Sequence, residues 1–150
     1  MTVREATPGD AAFVLSLVPR FVEHGAADGH PPEVVIEGTS RVLREALEQP
    51  RDGDVVLVAE ADGEPAGFLY AVTERDFFTR EEYLHVSEIA VARSGAAVGT
   101  RLMEAAEAWA RERGYRIVTL NVVEENVPAQ RFYLRRGYVP GHRHFVKRII

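Results

Sequence analysis

The order of residue patterns along this 150-residue chain predicts an α/β fold of the mixed-sheet (α+β) kind. Helices should cover both faces of the sheet, in the order β-α-α-β-β-β-α-β-α-β-β. Three observations carry this expectation. β-branched stretches at 54–60 and 66–73 flank Asp62-Gly63, a dipeptide suited to a tight hairpin. Two further strand-like runs, 83–91 and 116–122, are separated by a helical pattern, and such a crossover makes its strands parallel. Gly114 and Gly137 each stand where an apolar helical period stops.

Taken in order, residues 2–6 alternate and read as a short strand. Asp10 is an N-cap candidate for a helix whose apolar face is Phe13, Leu17, Val18 and Phe21. Residues 24–32 are rich in Gly, Ala and Pro and read as a loop. A second helix is expected over 33–48, closed by Pro50. The hairpin strands and the 83–91 strand follow. Val98, Leu102, Ala106 and Trp109 mark the third helix. The fourth is capped by Asn126, with Pro128 in its first turn. Residues 138–139 and 144–150 are expected to form a last antiparallel pair.

The length corresponds to one domain, residues 1–150. Apolar residues make up 46% and charged residues 27%, too apolar for a disordered chain. Cysteine is absent, which excludes disulfides, thiolate metal sites and a cysteine nucleophile. The polar first ten residues do not read as a signal peptide, and no apolar run approaches membrane-spanning length, so a cytoplasmic protein without membrane contact is expected. The net charge of −5 argues against a nucleic-acid partner. It is unevenly spread, with −8 in residues 1–75 and +3 in 76–150.

In a mixed α/β sheet, ligands bind at the carboxyl ends of parallel strands, beside helix N-termini. That singles out two segments. In the first, Glu88-Ile89-Ala90-Val91 runs into Ala92-Arg93-Ser94-Gly95-Ala96-Ala97-Val98-Gly99-Thr100, a loop of small residues opening a helix. The first amides of a helix lack internal partners, and small side chains let a phosphate approach them. It is neither a P-loop nor G-x-G-x-x-G, and a tight turn without ligand fits these residues as well. The second segment is Asn126-Val127-Pro128-Ala129-Gln130-Arg131-Phe132-Tyr133, continuing to Tyr138. A Tyr at position 133 can be a packing residue or a proton donor.

Together these segments resemble the GCN5-related N-acetyltransferases, the GNAT family. ENVPAQRFYLRRGY matches the family signature N-x-x-A-x-x-F-Y-x-x-x-G-F/Y at every named position, and VREATPGDA is typical of bacterial members. The resemblance implies acetyl-CoA as co-substrate and no metal. It implies that the 87–91 strand splays from its neighbour at a bulge. Pantetheine would lie along Ile89, Ala90 and Val91. Gly95, Ala96, Ala97, Val98, Gly99 and Thr100 would hold the pyrophosphate. Asn126 would help to hold the cofactor, and Tyr133 would face the thioester sulfur. The loop departs from the family pattern: Ser94 replaces an Arg or Gln, and Ala97 replaces a glycine. Arg93 is a substitute for the missing charge, and Arg131, Arg135 and Arg136 are candidates for the 3′-phosphate end.

Transfer to a primary amine of a small molecule or peptide, directly in a ternary complex, needs a base, donors for the developing negative charge, and an acid for the thiolate. Glu88 and His85 are the base candidates, backbone amides near Ala90–Ala92 the donors, and Tyr133 the acid. Glu88 pairing with an Arg and His85 as an ordinary strand residue are the alternatives. His142 and His144 alone make a poor metal site. The acceptor should lie between residues 20–40 and the last hairpin, where Glu23, Asp28, Glu33 and Glu37 would suit a cationic amine. A non-catalytic CoA-binding or interaction module of the same fold is the competing reading. The apolar stretch 144–150 needs cover, which a homodimer would supply.

Overall fold

The computed structural model describes residues 1–92 and 96–150. Five strands form one sheet in the order β1-β2-β3-β4-β5. They are β1 (Thr2–Glu5), β2 (Val55–Ala61), β3 (Glu64–Arg75), β4 (Glu82–Val91) and β5 (Val118–Leu120). The first three junctions are antiparallel and β4–β5 is parallel, as the crossover requires. The helices are α1 (Ala11–Ser16), α2 (Pro32–Glu48), α3 (Ala96–Glu112) and α4 (Val127–Arg135). Among the described residues, no helix is long and apolar enough to cross a membrane.

The β2–β3 hairpin turns on Asp62 and Gly63, both with positive φ (55° and 77°), the pair of left-handed residues a two-residue turn needs. On one face of the sheet, Leu57, Leu69, Leu84 and Val86 pack with Leu102, Met103 and Ala106 of α3 and Tyr133 of α4. On the other, Val58, Phe68, Tyr70 and Ala90 pack with Val14 of α1 and Leu43 and Leu47 of α2.

Three expectations are corrected. Asp10 does not cap α1 through its side chain. Its carboxylate accepts from the Thr7 amide (2.8 Å) and takes both guanidinium arms of Arg4 (2.9 Å each). This holds it at a pKa of about 2, well below the usual carboxylate range. The Phe13-to-Phe21 helix is broken: α1 stops at Ser16 and a 3₁₀ turn follows over Val18–Val22, where Pro19 withholds the amide a continuous helix would use. The last antiparallel pair is absent, and residues 138–150 carry no regular secondary structure. β5 pairs over three residues only, Pro140 lacks a donor, and two strands with no face to bury are marginal in water.

Gly67 on β3 sets how closely α3 approaches the sheet. A Cβ there would lie 2.8 Å from Val98 Cγ1 and 2.9 Å from the Ala90 carbonyl oxygen, one on α3 and one on β4. Gly67→Ala should therefore push the first turn of α3 off the sheet and cost about 1–3 kcal/mol, as overpacking does. Chemical denaturation checks this, and an unchanged midpoint would refute the close approach.

Candidate functional site

The register of β4 against β3 contains one irregularity, and the site is built on it. Val86 pairs with Ala71 and Glu88 with Tyr70, so Ser87 is an extra residue, a β-bulge. A one-residue insertion reverses the faces of everything after it. Leu84 and Val86 point into the α3–α4 core, and unbroken alternation would send Glu88 and Ala90 there too. Instead Ala90 joins the α1–α2 core, while Ile89 and Val91 pack against the α3–α4 side. Glu88 emerges beside Tyr70 on the wall of a cleft of about 450 Å³ between α2 and the sheet.

The bulge also ends the parallel pairing. β5 pairs with Leu84, His85 and Val86, and among the described residues no strand continues along Ser87–Val91 on that side. β4 therefore leaves a gap beyond Leu120. The Ala92 amide donates to the Ala66 carbonyl at 2.7 Å. Hydrogen bonding alternates along an antiparallel pair, so Ala90 and Glu88 also face β3, and the amides of Ile89 and Val91 point into the gap.

The Glu88 carboxyl is half-buried and makes no side-chain hydrogen bond or ion pair among the described residues. Burial raises its pKa to about 7. Across the sheet, Tyr133 of α4 is 8% exposed. Burial pushes its hydroxyl up to about 12, so it stays protonated at neutral pH. It packs edge-to-face with Phe132 and Tyr138, at centroid distances of 5.1 and 5.8 Å, and no described residue takes its hydroxyl. α4 is held against α3 by close contact: a Cβ on Gly99 would meet Phe132 Cζ at 3.5 Å. Glu88 thus lies on the α1–α2 side of the sheet and Tyr133 on the α3–α4 side, with the amides of Ile89 and Val91 on the open side of β4.

Residues 23–138 match the model of the Acetyltransferase (GNAT) family. The chain belongs to that family. It is 38% identical over 86 residues to an uncharacterized N-acetyltransferase of Archaeoglobus fulgidus, a match spanning 55% of this chain and 58% of that protein. It is 28% identical over 143 residues to the uncharacterized N-acetyltransferase YhfO of Bacillus subtilis, covering 92% and 89% of the two chains. Its structure is similar to that of an aminoglycoside N-acetyltransferase in complex with CoA, with a TM-score of 0.72, 18% identity and coverage of 98% and 93%. At that identity the likeness is one of fold.

Against this GNAT frame, the expected site residues divide. His85 lies on the same face as Glu88, and its Nδ1 is 2.8 Å from Thr119 Oγ1 on β5. Asn126 caps α4, its Oδ1 accepting from the Ala129 amide at 3.2 Å. α3 begins at Ala96, so the amides of Ala96, Ala97, Val98 and Gly99 lack helical partners. The Val98 side chain is core, Ala97 is exposed and Thr100 is half-buried. Arg93, Ser94, Gly95 and the Ala96 side chain lie outside the described residues. Ala92 is not a free donor: Ala66 takes its amide and Arg20 binds its carbonyl at 2.9 Å. Arg136 is committed to Glu107 (3.2 Å), while Arg131 and Arg135 are exposed. His144 sits 3.1 Å from Asp28, and no group of three metal-ligating side chains forms among the described residues.

The cleft itself differs from expectation. Of its lining residues Glu88 is the single acid, and Glu23, Asp28, Glu33 and Glu37 line none of it. Tyr70, Arg41 and Gly38 were not singled out from the sequence. A glycine inside the helical pattern of 33–48 was the available signal.

Burial of Glu88 has a measurable consequence for stability. Its folded pKa is raised from 4.5 to about 7, so the folded state binds the extra proton and stability falls as pH rises between those values. Glu88→Gln removes that cost. The variant should melt higher than the parent at pH 8 and close to it at pH 4.5. Equal melting temperatures at pH 8 would contradict the burial of a charged Glu88.

Proposed function

We propose that this protein transfers an acetyl group from acetyl-CoA to a primary amine, directly in a ternary complex. The observation that carries the reading is the Ser87 bulge, which ends the β4–β5 pairing, turns the amides of Ile89 and Val91 to the open side of β4 and brings Glu88 onto the cleft. The chain's groups fit acetyl-CoA. The orphan amides of Ala96, Ala97, Val98 and Gly99 suit the pyrophosphate, with Thr100 following them in α3; Gly95, the other residue proposed for it, lies outside the described residues. The strand amides of Ile89 and Val91 suit the pantetheine arm and the acyl carbonyl, Ala90 lying between them. Asn126 caps α4 and Arg131 stands at the middle of that helix.

Acetyl-CoA supplies an activated acyl group; the residues manage protons and charge. Glu88, with a pKa near neutrality, takes the proton from the ammonium form of the acceptor, directly or through a water. His85, tethered to Thr119, is the second candidate for that transfer. As the amine nitrogen bonds to the acyl carbon, negative charge grows on the carbonyl oxygen, and the strand amides donate to it. The carbon–sulfur bond then breaks, the Tyr133 hydroxyl gives its proton to the departing sulfur, and the nitrogen sheds its second proton to water, from which Tyr133 is reprotonated. The absence of cysteine supports direct transfer over a thioester on the protein.

We propose further that two copies cover one another's residues 139–150. Val139, Phe145 and Ile149 are each at least 84% exposed there.

Calorimetric titration with acetyl-CoA should give saturable binding, and release of free CoA thiol should require an amine. Tyr133→Phe should lower kcat about 10²-fold with acetyl-CoA affinity kept, the usual size of a general-acid effect. Unchanged turnover would remove Tyr133 from that role, and no binding at millimolar acetyl-CoA would favour the interaction module. Sedimentation should report a dimer that becomes a monomer when residues 140–150 are deleted.

A further inference from the structure

The cleft in front of Glu88 has a composition that selects among amines. This inference rests on the transferase reading and deepens it by naming an acceptor class. Val34, Val35, Val42 and Val72 line the cleft with Tyr70, so most of its wall is hydrocarbon. The carboxyl of Glu88 stands on the sheet side and the guanidinium of Arg41 on the α2 side.

Arg41 is exposed at the rim of this cleft. Glu37 and Glu45 stand one helical turn before and after it, the spacing at which exposed helix charges pair. Arg41 pairs with neither, nor with any other acid among the described residues. Its Nη2 lies over Gly38, 3.9 Å from where a Cβ would be. Gly38 is the second signal. Glycine inside a helix is unfavourable relative to alanine, and at Gly38 no packing contact demands it, since the Arg41 tip is the only atom a Cβ would meet within 4 Å. The missing methyl leaves space on the cleft side of α2, beneath an unpaired guanidinium.

We infer that the acceptor is a small amine with an apolar body and a carboxylate, the amine directed to Glu88 and the carboxylate to Arg41. Arg presents a planar fork that matches a carboxylate, and the hydrocarbon wall between the charges suits an apolar body. A polycation finds one acid in this cleft and meets Arg41 unfavourably.

The test uses matched amines that differ by the carboxylate: phenylalanine against phenethylamine, leucine against 3-methylbutylamine, and 6-aminohexanoate against hexylamine, with spermidine as the polycation. Affinity is measured by calorimetry on the intact protein with CoA present, and turnover by thiol release from acetyl-CoA. At least one carboxylate member should bind about ten-fold more tightly than its partner, the scale of one charge-assisted contact. Arg41→Gln should bring that ratio near one by raising KM rather than lowering kcat. Gly38→Ala should raise the melting temperature yet weaken the preferred amine, a combination that a structural role for the glycine does not produce. Equal binding within every pair, preference for spermidine, a ratio indifferent to Arg41→Gln, or no binding by any amine would each overturn the inference. Selective binding without thiol release would instead sink the transferase reading and leave the cleft assignment standing. Thiol release without carboxylate preference would do the reverse.

Discussion

The extra residue at Ser87 has consequences on both sides of the sheet. Before it, β4 pairs with strands on each side and sends Leu84 and Val86 into the α3–α4 core. After it, the same strand keeps β3, loses β5, and reverses its faces. Glu88 thereby leaves what would have been a dry core position and opens onto a cleft. The amides of Ile89 and Val91 lose a neighbouring strand and become available to something else. One inserted residue thus creates the gap, aims the carboxyl and frees the donors.

Those features are costly in folding terms, which gives them meaning. A half-buried carboxyl without a partner destabilises the fold above the pH at which it ionises. Elsewhere most such needs are met, Arg136 Nε being the one buried side-chain polar atom without a partner among the described residues. Asp10 takes both arms of Arg4, Tyr138 donates to Glu107 at 2.7 Å, and Thr73 bonds Gly53 and contacts Tyr115. A half-buried carboxyl with no ion pair, on the wall of a cleft, is the pattern expected where a ligand completes the bonding.

The frame around the gap is held by close contacts and by Glu107 of α3, which bonds Arg136 at 3.2 Å and Tyr138 at 2.7 Å. Gly67 seats Val98 and so fixes the start of α3 against β3. Gly99 seats Phe132, which fixes α4 against α3 and carries Tyr133 to the α3–α4 side of the gap. Asn126 starts α4 at the right residue by holding the Ala129 amide. Surface ion pairs such as Arg113–Asp52 (3.3 Å) lie away from this frame and add little to it.

Local chemistry made much of this readable in advance. β-branched runs around Asp62-Gly63, helices closed by Gly114 and Gly137, and the Asn126 cap depend on neighbours within a few residues, and all appear in the fold. The family follows from a contiguous segment ending at Tyr138, for the same reason. The breaks came where long-range contacts decide. Asp10 looked like a cap because capping is local, but a guanidinium from β1 claimed it. Residues 144–150 looked like a strand from their apolar content, but a strand needs a partner edge, and β5 offers three residues. Glu88 was visible as an acid on a strand; which face it occupies depended on the Ser87 bulge, a matter of register with β3. The cleft composition was least visible, because Gly38, Arg41, Tyr70 and Glu88 are scattered over fifty residues and meet only when α2 packs across the sheet. Sequence periodicity specifies which elements form, whereas register and packing specify which side chains share a space.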